Sequence, residues 1–209
     1  MGPLLLLFSG GPNPAAIRTS PDVDVRTALV RQGAAFESDW LDLTFTVTGN
    51  GIAQIVNIRP VFYFKGERQL AWVYEPEGGC GGTYGRVFSL DLGNRTMKDL
   101  GVMGSPYMLP PGSAKPPASV IGESFHVSSS DPASIIVNAY SCTADYYEWG
   151  LQVTYIIGAR EYSTFAGSPG DPFRLTGRPA YVIPAYTEAP PDYTQLMRAG
   201  VDNHTACTT

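Results

Sequence analysis

Ser134-Ile-Ile-Val-Asn-Ala-Tyr-Ser-Cys142, Glu148-Trp-Gly-Leu-Gln-Val-Thr-Tyr-Ile-Ile157 and Glu161-Tyr-Ser-Thr-Phe165 follow one another along the chain with only short connections between them. In the second run Trp149, Leu151, Val153, Tyr155 and Ile157 occupy alternate positions, with Gly150, Gln152 and Thr154 in between. A period of two puts the apolar set on one face, as a half-buried antiparallel strand requires. Gly158-Ala-Arg-Glu161 supplies the turn that follows. The stretch therefore predicts a three-stranded meander, and the rest of the chain reads as further strands laid against it.

Upstream, Leu41, Leu43, Phe45 and Val47 alternate with Asp42, Thr44 and Thr46 before Thr48-Gly-Asn-Gly51 turns the chain. Ile55 to Phe64 places Val56, Ile58, Phe62 and Phe64 on a common face, interrupted by Pro60. Proline cannot donate to a ladder, so this run predicts an edge strand or a bulge. Lys65-Gly-Glu-Arg68 reads as a turn, Leu70–Tyr74 as a short strand, Glu75–Gly82 as a loop, and Arg86–Leu92 as a strand closed by Asp91-Leu-Gly-Asn-Arg-Thr96. The proline-rich run 104–117 is an excursion between sheets or a binding loop. Asp22–Val30 suits a strand or a short helical turn, and Tyr193–Arg198 one or two helical turns. Seven to nine short strands, without a long helix or an internal repeat, predict an all-β chain: a two-sheet antiparallel sandwich over 22–186, between an N-terminal arm or linker over 1–21 and a C-terminal tail over 187–209.

Composition agrees with this class. Charged residues are only 16% of the chain while 12 Tyr, 9 Phe and 3 Trp enrich it in strand formers, which rules out a disordered polymer. A net charge of −5 without any basic run offers no electrostatic footprint for nucleic acid. The apolar run Leu4, Leu5, Leu6, Leu7, Phe8 is too short to span a membrane and has no preceding positive charge. It is a strand or arm that docks on an apolar groove, the remainder of a longer membrane-anchored protein, or an artificial end. As a docking element it would serve assembly.

Three cysteines allow one intramolecular disulfide at most. Cys80, in the glycine-rich loop 78–82, and Cys142, at a strand end, could tie loop to sheet, or each be a buried thiol; Cys207 is then left over. The glycines around Cys80 lack the strand, Lys-Ser/Thr and helix of a phosphate loop. Only His126 and His204 are present, and His126 lies between Phe125 and Val127 as a structural strand residue would. No metal site, cofactor or catalytic residue is therefore expected from histidine chemistry.

Carboxylates and aromatics concentrate before the second strand of the meander. Asp145 and Glu148 flank Tyr146-Tyr147, and Trp72 lies on another strand. Two carboxylates at a suitable separation can hydrolyse a glycosidic bond. Tyrosine and tryptophan can also form a protein or glycan contact surface, burying area at low entropic cost. The alternative for Trp149 and Tyr155 is the core itself. Asn94-Arg-Thr and Asn203-His-Thr fit the glycosylation triplet.

Ser134 to Tyr140, Glu148 to Gly158 and Phe173-Arg-Leu-Thr-Gly177 together resemble the C-terminal half of the immunoglobulin-like sandwiches that actinobacterial proteins carry outside the membrane. The resemblance covers about a quarter of the chain, and three Lys against eleven Arg fit a GC-rich source. It implies a non-enzymatic, extracytoplasmic β module that binds a protein partner or assembles with itself. Two alternatives accompany that expectation: a carbohydrate-binding or glycoside-processing domain using Trp72, Asp145, Tyr146, Tyr147 and Glu148, and a structural subunit of a particle or filament.

Overall fold

A computed structural model describes residues 4–8, 33–74, 85–103, 125–178, 183–188 and 196–201. Among these residues the chain is all-β, with fourteen strands and no helix. In chain order they are β1 (Leu4–Phe8), β2 (Gly33–Phe36), β3 (Ser38–Phe45), β4 (Ile52–Gly66), β5 (Leu70–Tyr74), β6 (Gly85–Asp91), β7 (Thr96–Met103), β8 (His126–Ser128), β9 (Ala133–Tyr140), β10 (Tyr146–Ile157), β11 (Arg160–Ala166), β12 (Phe173–Thr176), β13 (Pro184–Glu188) and β14 (Leu196–Val201).

The strands form two sheets. The larger runs β14-β13-β5-β1-β2-β12-β10-β4-β8, with β11 also on β10, and the smaller runs β3-β9-β6-β7. The expected purely antiparallel arrangement needs correction, because β12 pairs β2, β13 pairs β5 and β6 pairs β9 in parallel. A parallel neighbour needs a crossover connection, and the two strands of each such pair are separated in the chain by strands placed elsewhere. The expected three-stranded meander is likewise reduced to the β10–β11 hairpin, because β9 crosses to the smaller sheet and pairs with β3 and β6. The arm expected over 1–21 contains β1, hydrogen-bonded between β2 and β5. The tail expected over 187–209 contains β14, a strand where a helical turn was expected; it pairs with β13.

β4 and β10 form the spine, antiparallel from Ala53–Ile157 to Gly66–Tyr146. Two register shifts leave Tyr63 and Val56 as extra residues on β4. A bulge resets the alternation, and this explains a difference from simple period-two reading. Ile55, Ile58 and Phe62 join the core, whereas Val56 is half-buried and Phe64 is exposed. Beyond the short β8, the second edge of β4 has no strand partner among the described residues, a place where Pro60 costs no ladder bond.

The inward faces of both sheets meet in one core. Tyr147, Trp149, Leu151 and Val153 of β10 pack with Phe88 and Leu90 of β6 and with Ile135, Val137 and Ala139 of β9. Leu41, Leu43 and Phe45 close it from β3 while Asp42 and Thr44 face out, the alternation read from sequence. A second, smaller cluster of Phe36, Leu70, Val73 and Ile183 lies around β2 and β5.

Two backbone features hold the frame. Glu37 joins β2 of one sheet to β3 of the other at φ 60°, a conformation unusual for a residue with a side chain. Its amide donates to Thr176 O at 2.8 Å, its carbonyl accepts from Ser141 N at 2.9 Å, and its buried carboxylate accepts from Arg178 Nε. At Gly150, β10 exchanges neighbours on one side from β12 to β11. A Cβ there would lie 2.3 Å from Gly167 O and 2.8 Å from the Tyr63 hydroxyl, which itself donates to Gly167 O at 2.9 Å. Glycine at this point in the strand is a packing requirement.

Candidate functional site

The start of β10 carries the densest polar network. Adjacent strand residues project to opposite faces, so Tyr146 and Tyr147 divide this network in two. On the core side, Asp145 Oδ2 accepts from Thr143 Oγ1 at 2.8 Å and from the Tyr147 hydroxyl at 3.3 Å, and lies 3.0 Å from Lys65 Nζ. Thr143 and Tyr147 also share a 2.8 Å hydrogen bond. The Lys65 ammonium stands 5.6 Å above the Tyr147 ring. It arrives there because Lys65 is the cross-strand partner of Tyr147.

On the outer side, the Tyr146 hydroxyl donates to Glu148 Oε1 at 2.7 Å, and Arg174 Nε lies 3.9 Å from the same oxygen. The Arg68 guanidinium lies over the Tyr146 ring, 4.6 Å from its centre, and over the exposed Phe64 ring at 5.9 Å from its centre. Phe64 and Tyr146 are themselves in ring contact at 6.0 Å. Register again brings these groups together, since Phe64 and Arg174 both face Glu148, from β4 and β12.

The charges follow from this geometry. Burial pushes the Asp145 carboxyl up, but hydrogen bonds from Lys65 and Thr143 and the Lys65 charge outweigh it, leaving the group below its ordinary range. The hydrogen bond to Asp145 raises Lys65 in turn. Burial, and then the bond to Glu148, raise the Tyr146 phenol strongly.

Asp145, Tyr146, Tyr147 and Glu148 are thus neighbours, while Trp72 lies on β5 with its ring 5.6 Å from Tyr186. The three aromatic rings are covered: Tyr146 is 1% exposed, Tyr147 0% and Trp72 3%. Each carboxylate is bonded to a tyrosine of a different face, so the pair does not converge on one bond as the two carboxyls of a glycosidase do. Lys65, Arg68, Thr143 and Arg174 complete the network and escaped sequence reading. Lys65 and Arg68 read as turn residues; the β4–β10 register, which no local pattern encodes, places Lys65 opposite Tyr147 and ends β4 opposite Tyr146, two residues before Arg68.

Other expected features fall elsewhere. Cys142 lies exposed in the connection between β9 and β10, whereas Cys80, Cys207, Asn203, His204 and the loop 104–117 lie outside the described residues, and with them the Cys80–Cys142 pairing. His126 is exposed on β8, and Asn94 is exposed in the β6–β7 turn, its amide group donating to Asp91 Oδ2 at 2.8 Å. Among the described residues no group of three His, Cys, Asp or Glu gathers as a metal would need, and no helix is long and apolar enough to cross a membrane. Leu4–Phe8, expected as a docking arm, is a strand inside this chain's own sheet. Comparison with known protein families, with curated proteins and with solved structures finds no significant match to this chain.

Proposed function

We propose that this chain is an extracytoplasmic β module, of immunoglobulin-like sandwich type, that works by binding or self-assembly rather than by turnover. One observation carries the reading. β11 is a regular seven-residue strand hydrogen-bonded on one edge to β10, and its residues from Arg160 to Phe165 are all exposed. It contains no proline, lysine or bulge, and its charges, Arg160 and Glu161, are confined to the end next to the turn, leaving residues 162–166 without the devices that blunt sheet edges. Its other edge has no strand partner among the described residues, and an edge of that length is a template for strand addition.

The test is the solution mass of the intact chain by light scattering over a concentration series. A mass that grows with concentration is expected, and a constant monomer mass removes the assembly half of the reading. Retention of a protein partner would then be the remaining form. Within the same proposal Cys80 and Cys142 form a disulfide suited to an oxidising compartment. Peptide mapping without reductant should recover the linked pair, and finding both as thiols argues against that compartment.

A second reading, glycan binding, keeps a specific observation of its own. Phe64 presents an exposed ring directly across from Glu148, with Arg68 and Arg174 close by. An apolar ring framed by a few polar groups is a common recognition surface. Glycan retention that disappears in Phe64→Ala would favour it, and no retention on a broad glycan panel would end it.

A further inference from the structure

We infer that β11 is the seam of a two-fold dimer in which a second copy of this chain continues the large sheet, Tyr162 meeting Tyr162 of that copy on the symmetry axis. The inference rests on the assembly reading and names its partner and register.

The occupant follows from self-complementarity. A two-fold axis perpendicular to a sheet pairs two identical edge strands antiparallel and keeps each face continuous, so the contact closes on itself. β12 shares the same side of β10 only over Tyr146–Trp149, whereas β11 pairs Leu151–Ile157. The approaching strand therefore meets β11 along its length.

Charge and ring geometry select the register. Centring the axis on Glu161 would set two carboxylates directly opposite each other, which is destabilising. Centring on Ser163 would set each Glu161 against an apolar Phe165. Centring on Tyr162 leaves no such conflict: Glu161 faces Ser163 and Arg160 faces Thr164 of the second copy. Tyr162, 42% exposed, already stacks on Tyr155 with ring centres 5.6 Å apart and planes inclined by 19°. The axis extends this pair into a row of four rings, Tyr155-Tyr162 from one copy and Tyr162-Tyr155 from the other. Aromatic cross-strand pairs are among the favourable ones. On the other face Phe165, 52% exposed, lies at the border of the same contact.

The full chain is tested in three forms by light scattering over one concentration series, with circular dichroism to confirm that each is folded. The unaltered chain should approach twice the monomer mass. Tyr162→Lys replaces the ring pair by two facing ammonium groups at an exposed position and should weaken association about tenfold or more. Tyr162→Cys, oxidised at concentrations where the unaltered chain is dimeric, should give a covalent dimer whose peptide map shows residue 162 joined to residue 162. Association of Tyr162→Lys equal to that of the unaltered chain overturns the seam while leaving assembly standing. Absence of the 162–162 link in a dimeric sample overturns the register. A monomer mass for the unaltered chain at every concentration overturns the assembly reading itself, and the dimer with it.

Discussion

At the scale of single residues, the network at the start of β10 makes stability depend on pH in a direction that can be worked out. The folded Asp145 carboxyl lies below the ordinary value of 3.8, so its contribution is present above that value and is lost as pH falls through the folded pKa. Lys65 is raised above 10.5, so its contribution is complete below that value and is lost as pH rises beyond it. Tyr146 is raised above 10.0, and ionisation in the unfolded chain alone likewise erodes stability above that pH. Urea unfolding should therefore show a plateau between roughly pH 4 and pH 10, as the ordinary carboxylate and phenol values imply. Tyr146→Phe should flatten the alkaline limb, and an unchanged limb would show that this phenol does not titrate between the two states. Asp145→Asn keeps one acceptor oxygen for the Tyr147 hydroxyl, which Thr143 also bonds, but removes the negative charge facing Lys65, and should cost roughly 0.5–1.5 kcal/mol at pH 7. Gly150→Ala should cost ~1–3 kcal/mol through overpacking against Gly167 and Tyr63. A neutral result in denaturant unfolding would mean that the β10 backbone gives way there at no cost. Residue types at these positions were visible in the chain. Their partners were not, because Lys65 and Arg174 are brought in by register from strands distant in sequence, and Arg68 follows from the connection just after β4.

At the scale of elements, β1 matters more than its five residues suggest. Among the described strands it is the hydrogen-bonded link between β14-β13-β5 and β2-β12-β10-β4-β8. Removing residues 1–11 should leave a slot between β2 and β5, and a labelled peptide of residues 1–11 should bind the shortened chain and not the intact one, by fluorescence anisotropy. Equal binding to both chains would mean that the peptide does not seek that slot. Protection should follow the same division. Hydrogen exchange in β13 and β14, held to the rest of the sheet through β5 and β1, should outpace exchange in β4 and β10, which pair with each other along their length. Uniform protection across the sheet would contradict that order. The strands themselves were largely legible: β3 and β10 carry alternation, the turn at Gly158 separates β10 from β11, and the β6–β7 turn follows from Asp91 to Thr96. β14 was misread because a short stretch such as Leu196-Met-Arg-Ala-Gly-Val201 has no period that separates one helical turn from one strand.

At the scale of the whole molecule, two sheets share one core, and among the described residues β11 has a strand partner on one edge only. The expected dimer about Tyr162 is a property of this scale, since it depends on where β11 ends up rather than on its own sequence. The same holds for the tyrosines at positions 146 and 147, which look like surface aromatics in the chain and are interior in the fold. What the amino-acid sequence determined by itself was the all-β class, the β10–β11 hairpin and the inward set Trp149, Leu151 and Val153, because period-two alternation and turn residues are local signals. Only the tertiary structure decided the parallel pairings, the phase changes at Val56 and Tyr63, the placing of Leu4–Phe8 inside the sheet, and which aromatics face water. Those depend on which distant strands become neighbours and in what register. That choice is made by the collective burial of both sheet faces, and no short stretch of the chain records it.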